Sequence, residues 1–297
     1  MSDSHSAYFI PEPSRWPIVG TLALFVSFIG GAIMLNGSGF GTFILGLGVA
    51  AIIYLFAGWF SDVICESLSG SYNKQVDTSF RWGMSWFIFS EVMFFAAFFG
   101  ALFYARVLSV PWLGGEGAKL PTHEFLWPMF DAIWPLVTTP DATIEGGTSA
   151  YDQIKEVIPA WGVPAINTLI LLSSGVTVTL AHWSLKKNNR KGLCWWLFAT
   201  VALGLLFVSL QAYEYAHAYH VLDLKLSSGI YGSTFFILTG FHGFHVTMGA
   251  TMLAVILARS IRGHFTHENH FAFEAVAWYW HFVDVVWLGL FIFVYWL

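Results

Sequence analysis

The sequence predicts an all-α integral membrane protein with seven transmembrane helices, and three observations carry that prediction. Only 10% of the 297 residues are charged while 57% are hydrophobic, and an average soluble domain carries about 25% charge. Mean hydropathy is +0.65, too high for a chain with a fully wetted surface. Seven separate stretches reach the roughly 20 apolar residues that a helix needs to cross a hydrocarbon core. None of them alternates with the period of two expected of barrel strands. The fold class is therefore helical.

The spans fall near Trp16–Leu35, Phe40–Phe60, Trp82–Ala105, Val163–Trp183, Leu193–Tyr213, Gly229–Ala258 and Phe271–Leu297. Their scattered Gly, Ser and Thr suit helices that approach one another through small residues. Seven crossings put the two ends of the chain on opposite sides, and the basic residues choose between the two orientations. With the N-terminus inside, Arg15, Lys74, Arg81, Lys186, Lys187, Arg190, Lys191, Arg259 and Arg262 lie inside. Only Arg106, Lys119, Lys155 and Lys225 then lie outside. An excess of Lys and Arg marks the cytoplasmic side, so an inner N-terminus is expected. Cys65 and Cys194 then face a reducing compartment and are expected to be free thiols. The first span follows acidic, proline-containing sequence, so no cleaved signal peptide is expected. The outer segment, about 106–161, is acidic and rich in Gly and Pro. Its Trp/Pro run from Leu126 to Pro135 is expected to lie flat at the interface.

Composition also excludes function classes. A net charge of −5 is the wrong sign for a protein that binds nucleic acid through phosphate contacts. Two cysteines cannot build a disulfide framework or a Cys-rich metal site. No P-loop, dinucleotide fingerprint or nucleophile elbow occurs in the sequence.

What remains informative is the polar residues inside spans, because they are expensive to bury. Glu91 is ten residues past Arg81, about 15 Å into its helix at the α-helical rise. Asp284 lies at a similar depth in the last span, ten residues past Glu274. Such carboxyls either lock helix packing by hydrogen bonding or handle lipid or protons. His242 and His245 are three apart on one face of the sixth span. His281 lies in the last span and His182 ends the fourth. Two histidines on facing helices could hold a haem or a metal, but Phe241, Phe244, Trp278 and Trp280 crowd them. Hydrogen-bonded structural histidines are the favoured reading, and no metal site is expected. His217, His220, His264, His267 and His270 fall at interfaces, where solvated or headgroup contacts are expected. Glu91 is expected to meet His245 or His242, because their depths overlap if the helices are neighbours and tilted.

Several long motifs resemble cytochrome c oxidase subunit III. They are Ser90-Glu91-Val92-Met93-Phe94-Phe95, Tyr231-Gly232-Ser233-Thr234-Phe235-Phe236 and Gly240-Phe241-His242-Gly243-Phe244-His245-Val246. Phe273-Glu274-Ala275, continued by Ala277-Trp278-Tyr279-Trp280-His281-Phe282-Val283-Asp284-Val285-Val286-Trp287, belongs with them. The resemblance runs from Trp16-Pro17 to the C-terminus, apart from the long outer loop. It implies an inner arm (1–15), a two-helix unit (16–78) splayed from a five-helix bundle (79–297), and a cleft filled by phospholipid. It also implies a subunit without haem or copper of its own, bound to the catalytic subunit I and the copper-bearing subunit II of a proton-pumping aa3-type oxidase. Cytochrome c would be the substrate of that complex, not of this chain. The implied role is to keep proton uptake fast, to limit inactivation during turnover and to offer oxygen a lipid-lined approach.

Within that frame, Asp62, Glu66, Trp59 and Arg259 are candidate lipid contacts. Asp62 and Glu66 share a helix face, and an acid with an arginine suits the ammonium and phosphate of one zwitterionic lipid. Ordinary snorkelling of interfacial charges is the competing reading. His5 in the arm is a candidate proton antenna, because histidine titrates near physiological pH. A serine-rich tail without that role is the alternative. The arm has one histidine where relatives often have several. Gly100 stands where many relatives carry Trp, and Ser61 and Cys65 lie where relatives place basic residues. The long outer loop favours a bacterial cytoplasmic membrane. A quinol-oxidase subunit would typically lack the first two helices, a membrane cytochrome b would show a Soret band, and a transporter would show paired broken helices.

Overall fold

The computed structural model describes residues 8–144 and 154–297. Seven helices among them are long and apolar enough to cross a membrane: α1 (Trp16–Leu35), α2 (Gly39–Leu68), α3 (Lys74–Phe103), α4 (Val163–Lys186), α5 (Arg190–His220), α6 (Gly229–Arg262) and α7 (Phe271–Leu290). After α3 the chain continues through a π-helical turn, Tyr104–Ser109, into Val110–Leu113, and α7 continues as a π-helical turn, Phe291–Trp296. No strand occurs among the described residues. The chain divides into two compact units, Met1–Gly83 and Met84–Leu297, with the boundary inside α3.

In the first unit, α1 and α2 form a hairpin around Asn36–Ser38, where Gly37 adopts φ 85°. The buried residues of α1 are Trp16, Ala23 and Gly30, and those of α2 are Gly41 and Gly48. Each set repeats every seven residues, which keeps a small-residue seam facing the partner helix. A Cβ on Gly41 would strike the backbone of Met34, and one on Gly48 would strike Ser27. Backbones can approach this closely only where side chains are missing. Trp16 closes the open end of the hairpin: its Nε1 donates to Asp62 Oδ2 at 2.7 Å.

The second unit is joined through bulky and polar side chains instead. Trp280, fully buried on α7, donates to Ser174 Oγ on α4 at 2.9 Å. One face further along, Trp287 Nε1 donates to Thr168 Oγ1 at 2.9 Å. Thr177 and Thr200 join α4 to α5 at 2.8 Å, and Tyr215 and Thr239 join α5 to α6 at 2.6 Å. The end of α6 is closed by Gly263 at φ 79°, with His264 N donating to Arg259 O and Gly263 N to Ser260 O. Arg190 reaches the same end, its guanidinium donating to the carbonyls of Ser260 and Ile261. Together these bonds satisfy carbonyls that a helix C-terminus leaves without intrahelical partners.

One expectation is corrected. Helices run past their hydropathic limits: α2 continues from Phe60 to Leu68, α3 starts at Lys74, and α5 continues from Tyr213 to His220. Helical hydrogen bonding needs no apolar side chains, so it persists through interfacial polar residues where hydropathy has already fallen. The Trp/Pro run is anchored inward at one end and through one residue in its middle. Phe130 and Leu136 are buried in the core of the second unit with Ile154 and Ile158, and Trp134 packs edge-on against Tyr231 at 5.7 Å. Leu126, Met129 and Ile133 of the same run are exposed.

Candidate functional site

The most informative polar contact joins α3 to α6. Glu91 Oε2 lies 2.8 Å from His245 Nε2, and the two side chains are 21% and 10% exposed. The other ring nitrogen, Nδ1, lies 2.6 Å from Phe241 O one turn earlier. A backbone carbonyl can only accept, so Nδ1 carries a hydrogen. The Glu91 contact then requires one further proton, held either on Nε2 or on the carboxyl. In both states the pair is neutral overall, which lets it sit among apolar side chains. Phe94, Phe95 and Tyr279 surround the imidazole, and Tyr279 OH donates to His245 O at 3.3 Å.

His242 faces elsewhere. Its Nε2 lies 3.2 Å from Val283 O, and its ring packs on Phe207 and Trp287. The aromatic rings fill the face that a haem would need, and both nitrogens of His245 already have partners. His245 therefore has no free nitrogen to offer a haem. On α7, His281 Nδ1 is 3.7 Å from Asp284 Oδ2. Asp284 is 6% exposed and its Oδ1 finds no hydrogen-bond partner among the described residues. His281 is half-exposed and its Nε2 lies 3.4 Å from Thr179 Oγ1.

Two groups escaped the sequence reading. Tyr295 OH donates to Glu214 Oε1 at 2.6 Å, and Gln211 Nε2 donates to the same oxygen at 3.1 Å. Asn167 on α4 reaches Gln211 at 3.5 Å. The signal available was Gln211 and Glu214 three apart on one helical face; ending the fifth span at Tyr213 hid it. The second group is His182, His270 and Glu274, whose possible ligand atoms all lie within 4.8 Å of one another. Treating His270 as a surface residue and Glu274 as a depth marker concealed this meeting of α4 with the start of α7.

The lipid candidates have partners within their own units. Asp62 accepts from Trp16, and Glu66 Oε2 accepts from Tyr72 OH at 2.7 Å. Burial, followed by the hydrogen bond to Glu66 and its charge, pushes the Tyr72 hydroxyl well above its ordinary pKa. Trp59 is 50% exposed. Arg259 is buried, with its guanidinium carbon 4.5 Å from the centre of the Phe265 ring and its Nε without a hydrogen-bond partner among the described residues. Cys65 and Cys194 are free thiols. His5 lies outside the described residues.

The comparisons with known proteins cover the whole of this arrangement. The family model for cytochrome c oxidase subunit III matches residues 5–125 and 120–297. Cytochrome c oxidase subunit 3 of Arabidopsis thaliana is 41% identical over 296 residues, 99% of this chain and 97% of that protein. The subunit 3 of Marchantia polymorpha is 41% identical over 297 residues, and that of Dugong dugon is 40% identical over 297. The matches cover 98% and 99% of those two proteins and all of this chain. The chain belongs to the cytochrome c oxidase subunit III family.

Proposed function

We propose that the chain is the accessory subunit III of an aa3-type, proton-pumping cytochrome c oxidase. It carries no redox centre and supports proton uptake, turnover stability and lipid binding in the catalytic subunit. The observation that carries the reading is the full-length relationship, which includes both compact units and the segments bearing Glu91, His245 and Asp284. Its partners are the haem-bearing subunit I and the copper-bearing subunit II, with cytochrome c as substrate of the complex. The excess of basic residues on one set of connections favours a cytoplasmic N-terminus and a periplasmic C-terminus. With the long outer loop, this favours a bacterial cytoplasmic membrane. The proposed units are the arm 1–15, with His5 as proton antenna, the two-helix unit 16–78 and the bundle 79–297.

Phospholipid is the proposed ligand. Arg259 supports this reading because a buried guanidinium with an unpaired Nε favours an anion such as a headgroup phosphate. Glu66, Asp62 and Trp59 are the proposed contacts on the two-helix unit. Glu91 and His245 form a structural lock, since either protonation state of the pair holds α3 to α6.

Gentle solubilisation of native membranes, affinity capture of this chain and mass spectrometry of the captured subunits test the reading. Subunits with haem and copper motifs should be recovered in equal amounts. Oxidase activity that survives turnover equally well with and without the chain would overturn the supporting role.

A further inference from the structure

We infer that His182, His270 and Glu274 form a binding site for a divalent zinc-type cation that clamps α4 to the start of α7. His182 Nε2 lies 3.4 Å from Glu274 Oε1, and His270 Nε2 lies 3.1 Å from the same oxygen. Tetrahedral zinc with bonds of roughly 2.0–2.1 Å sets neighbouring ligand atoms about 3.3–3.4 Å apart. These two separations lie close to that range, and the possible ligand atoms of all three residues lie within 4.8 Å of one another.

Both Nε2 atoms are buried, yet neither makes an aligned hydrogen bond despite lying this close to a carboxylate oxygen. His270 Nδ1 lies 3.1 Å from Thr266 O, and a carbonyl can only accept. Nδ1 therefore carries the hydrogen, and in a neutral ring Nε2 presents a lone pair toward the carboxylate. A lone pair on each side then faces the other unless a proton or a metal cation lies between them. An outer carbonyl that fixes the tautomer of a histidine is also the usual support of a metal ligand.

The chain positions the ligands on rigid elements. His270 and Glu274 are four apart at the start of α7, so they share one helix face. His182 stands near the end of α4, and its ring centre is 5.5 Å from that of His270. A cavity of about 190 Å³ borders His182 and Glu274 and is also lined by Thr179, Trp278 and His281. It provides an approach for the ion and room for a water as fourth ligand. Two imidazoles and one carboxylate match zinc better than calcium or magnesium, which prefer all-oxygen shells. Lys186 and the positive end of α7 oppose a cation here, and three converging ligands must outweigh both. Zinc has no redox chemistry, so the site is compatible with a subunit that carries no electrons.

The test is equilibrium dialysis of the detergent-solubilised oxidase complex against buffered free zinc, with metal content read by mass spectrometry. Wild type and a His267→Ala control should bind one equivalent more than His182→Ala or Glu274→Gln at micromolar free zinc. Half-saturation should move by about 100-fold or more, since even outer-shell changes cost 10–100-fold. Equal zinc content in all four proteins overturns the site. So does half-saturation of the extra equivalent only at millimolar zinc. If a variant fails to assemble, anomalous diffraction at the zinc edge from the wild-type complex decides. A peak between the three ligand atoms supports the assignment, and no peak there refutes it.

Discussion

The α1–α2 hairpin and the α4–α7 region solve one problem by two different means. Lipid tails are as apolar as leucine, so burying apolar surface does little to hold transmembrane helices together. The hairpin relies on proximity, through glycines that let backbones touch, with a single Trp16–Asp62 bond at one end. The second region relies on chemistry, through tryptophan, threonine, histidine and acid side chains bonded across helices. Burial follows the same division: α1 and α2 each have 11% of their most apolar window buried, against 56% for the last helix. The lesson is that a spanning helix is held either by what its neighbours lack or by what they donate.

Substitutions that touch only one of these means should break the comparison most clearly. Gly41→Leu is expected to have the largest effect, because its side chain would meet the Met34 backbone, which cannot repack. Overpacking typically costs about 1–3 kcal/mol, and a backbone obstacle should reach or exceed about 3 kcal/mol by the same reasoning. Unfolding in a graded denaturing detergent should show early loss of the hairpin while the second unit persists. Simultaneous loss of both would remove the distinction.

Glu214→Ala should come next. It removes the main acceptor of Tyr295 and Gln211, both buried and left with their 3.4 Å contact to each other, and an orphaned group costs about 1–3 kcal/mol. Gln211 retains its approach to Asn167, so a total of about 2 kcal/mol is expected. The same detergent series should now affect the second unit first.

Glu91→Ala should cost about 1–2 kcal/mol, because the buried His245 loses its partner while the space left by the part-exposed Glu91 can admit water. Glu91→Gln should lose less and leave proton pumping near normal, since an amide still hydrogen-bonds His245. Pumping measured in reconstituted vesicles separates a lock from a proton carrier. Abolished pumping in the glutamine variant, with assembly and lipid intact, would end the structural reading.

The smallest expected effect is electrostatic and lies outside the spans. Lys155 pairs with Asp223 in the α5–α6 connection, and Lys225 lies 3.8 Å from the same carboxyl. The hydrogen bond from Lys155, then the charges of both lysines, hold Asp223 below the usual carboxylate range. A depressed carboxyl contributes stability above its unfolded pKa of about 3.9. That contribution is lost as pH falls through the folded value. Lys155→Met should therefore narrow the difference in thermal stability between pH 6 and pH 3, and high salt should do the same to wild type. An unchanged acid response would show that the pair contributes nothing.

Much of the fold was legible in the sequence, because a bilayer makes hydropathy report membrane crossing directly. Continuous apolar runs of about 20 residues have few alternatives to a spanning helix. Helix ends were less legible, because backbone bonding continues into polar residues such as Glu214 and His217. The site was legible only one residue at a time. Depth arithmetic placed Glu91 near both His242 and His245 but could not choose between them.

Tertiary structure made that choice. Rotation of α6 about its own axis presents His245 to α3 and turns His242 toward Val283 O on α7. Rotation depends on how the side chains of every neighbouring helix fit together, and no single span encodes it. The meeting of His182 with His270 and Glu274 has the same origin, the first two lying 88 positions apart in the chain. The sequence by itself determined seven apolar helices and the depth of each polar group along them. Only packing decided which polar groups face one another, because periodicity fixes a residue's place on its own helix and says nothing about the helix beside it.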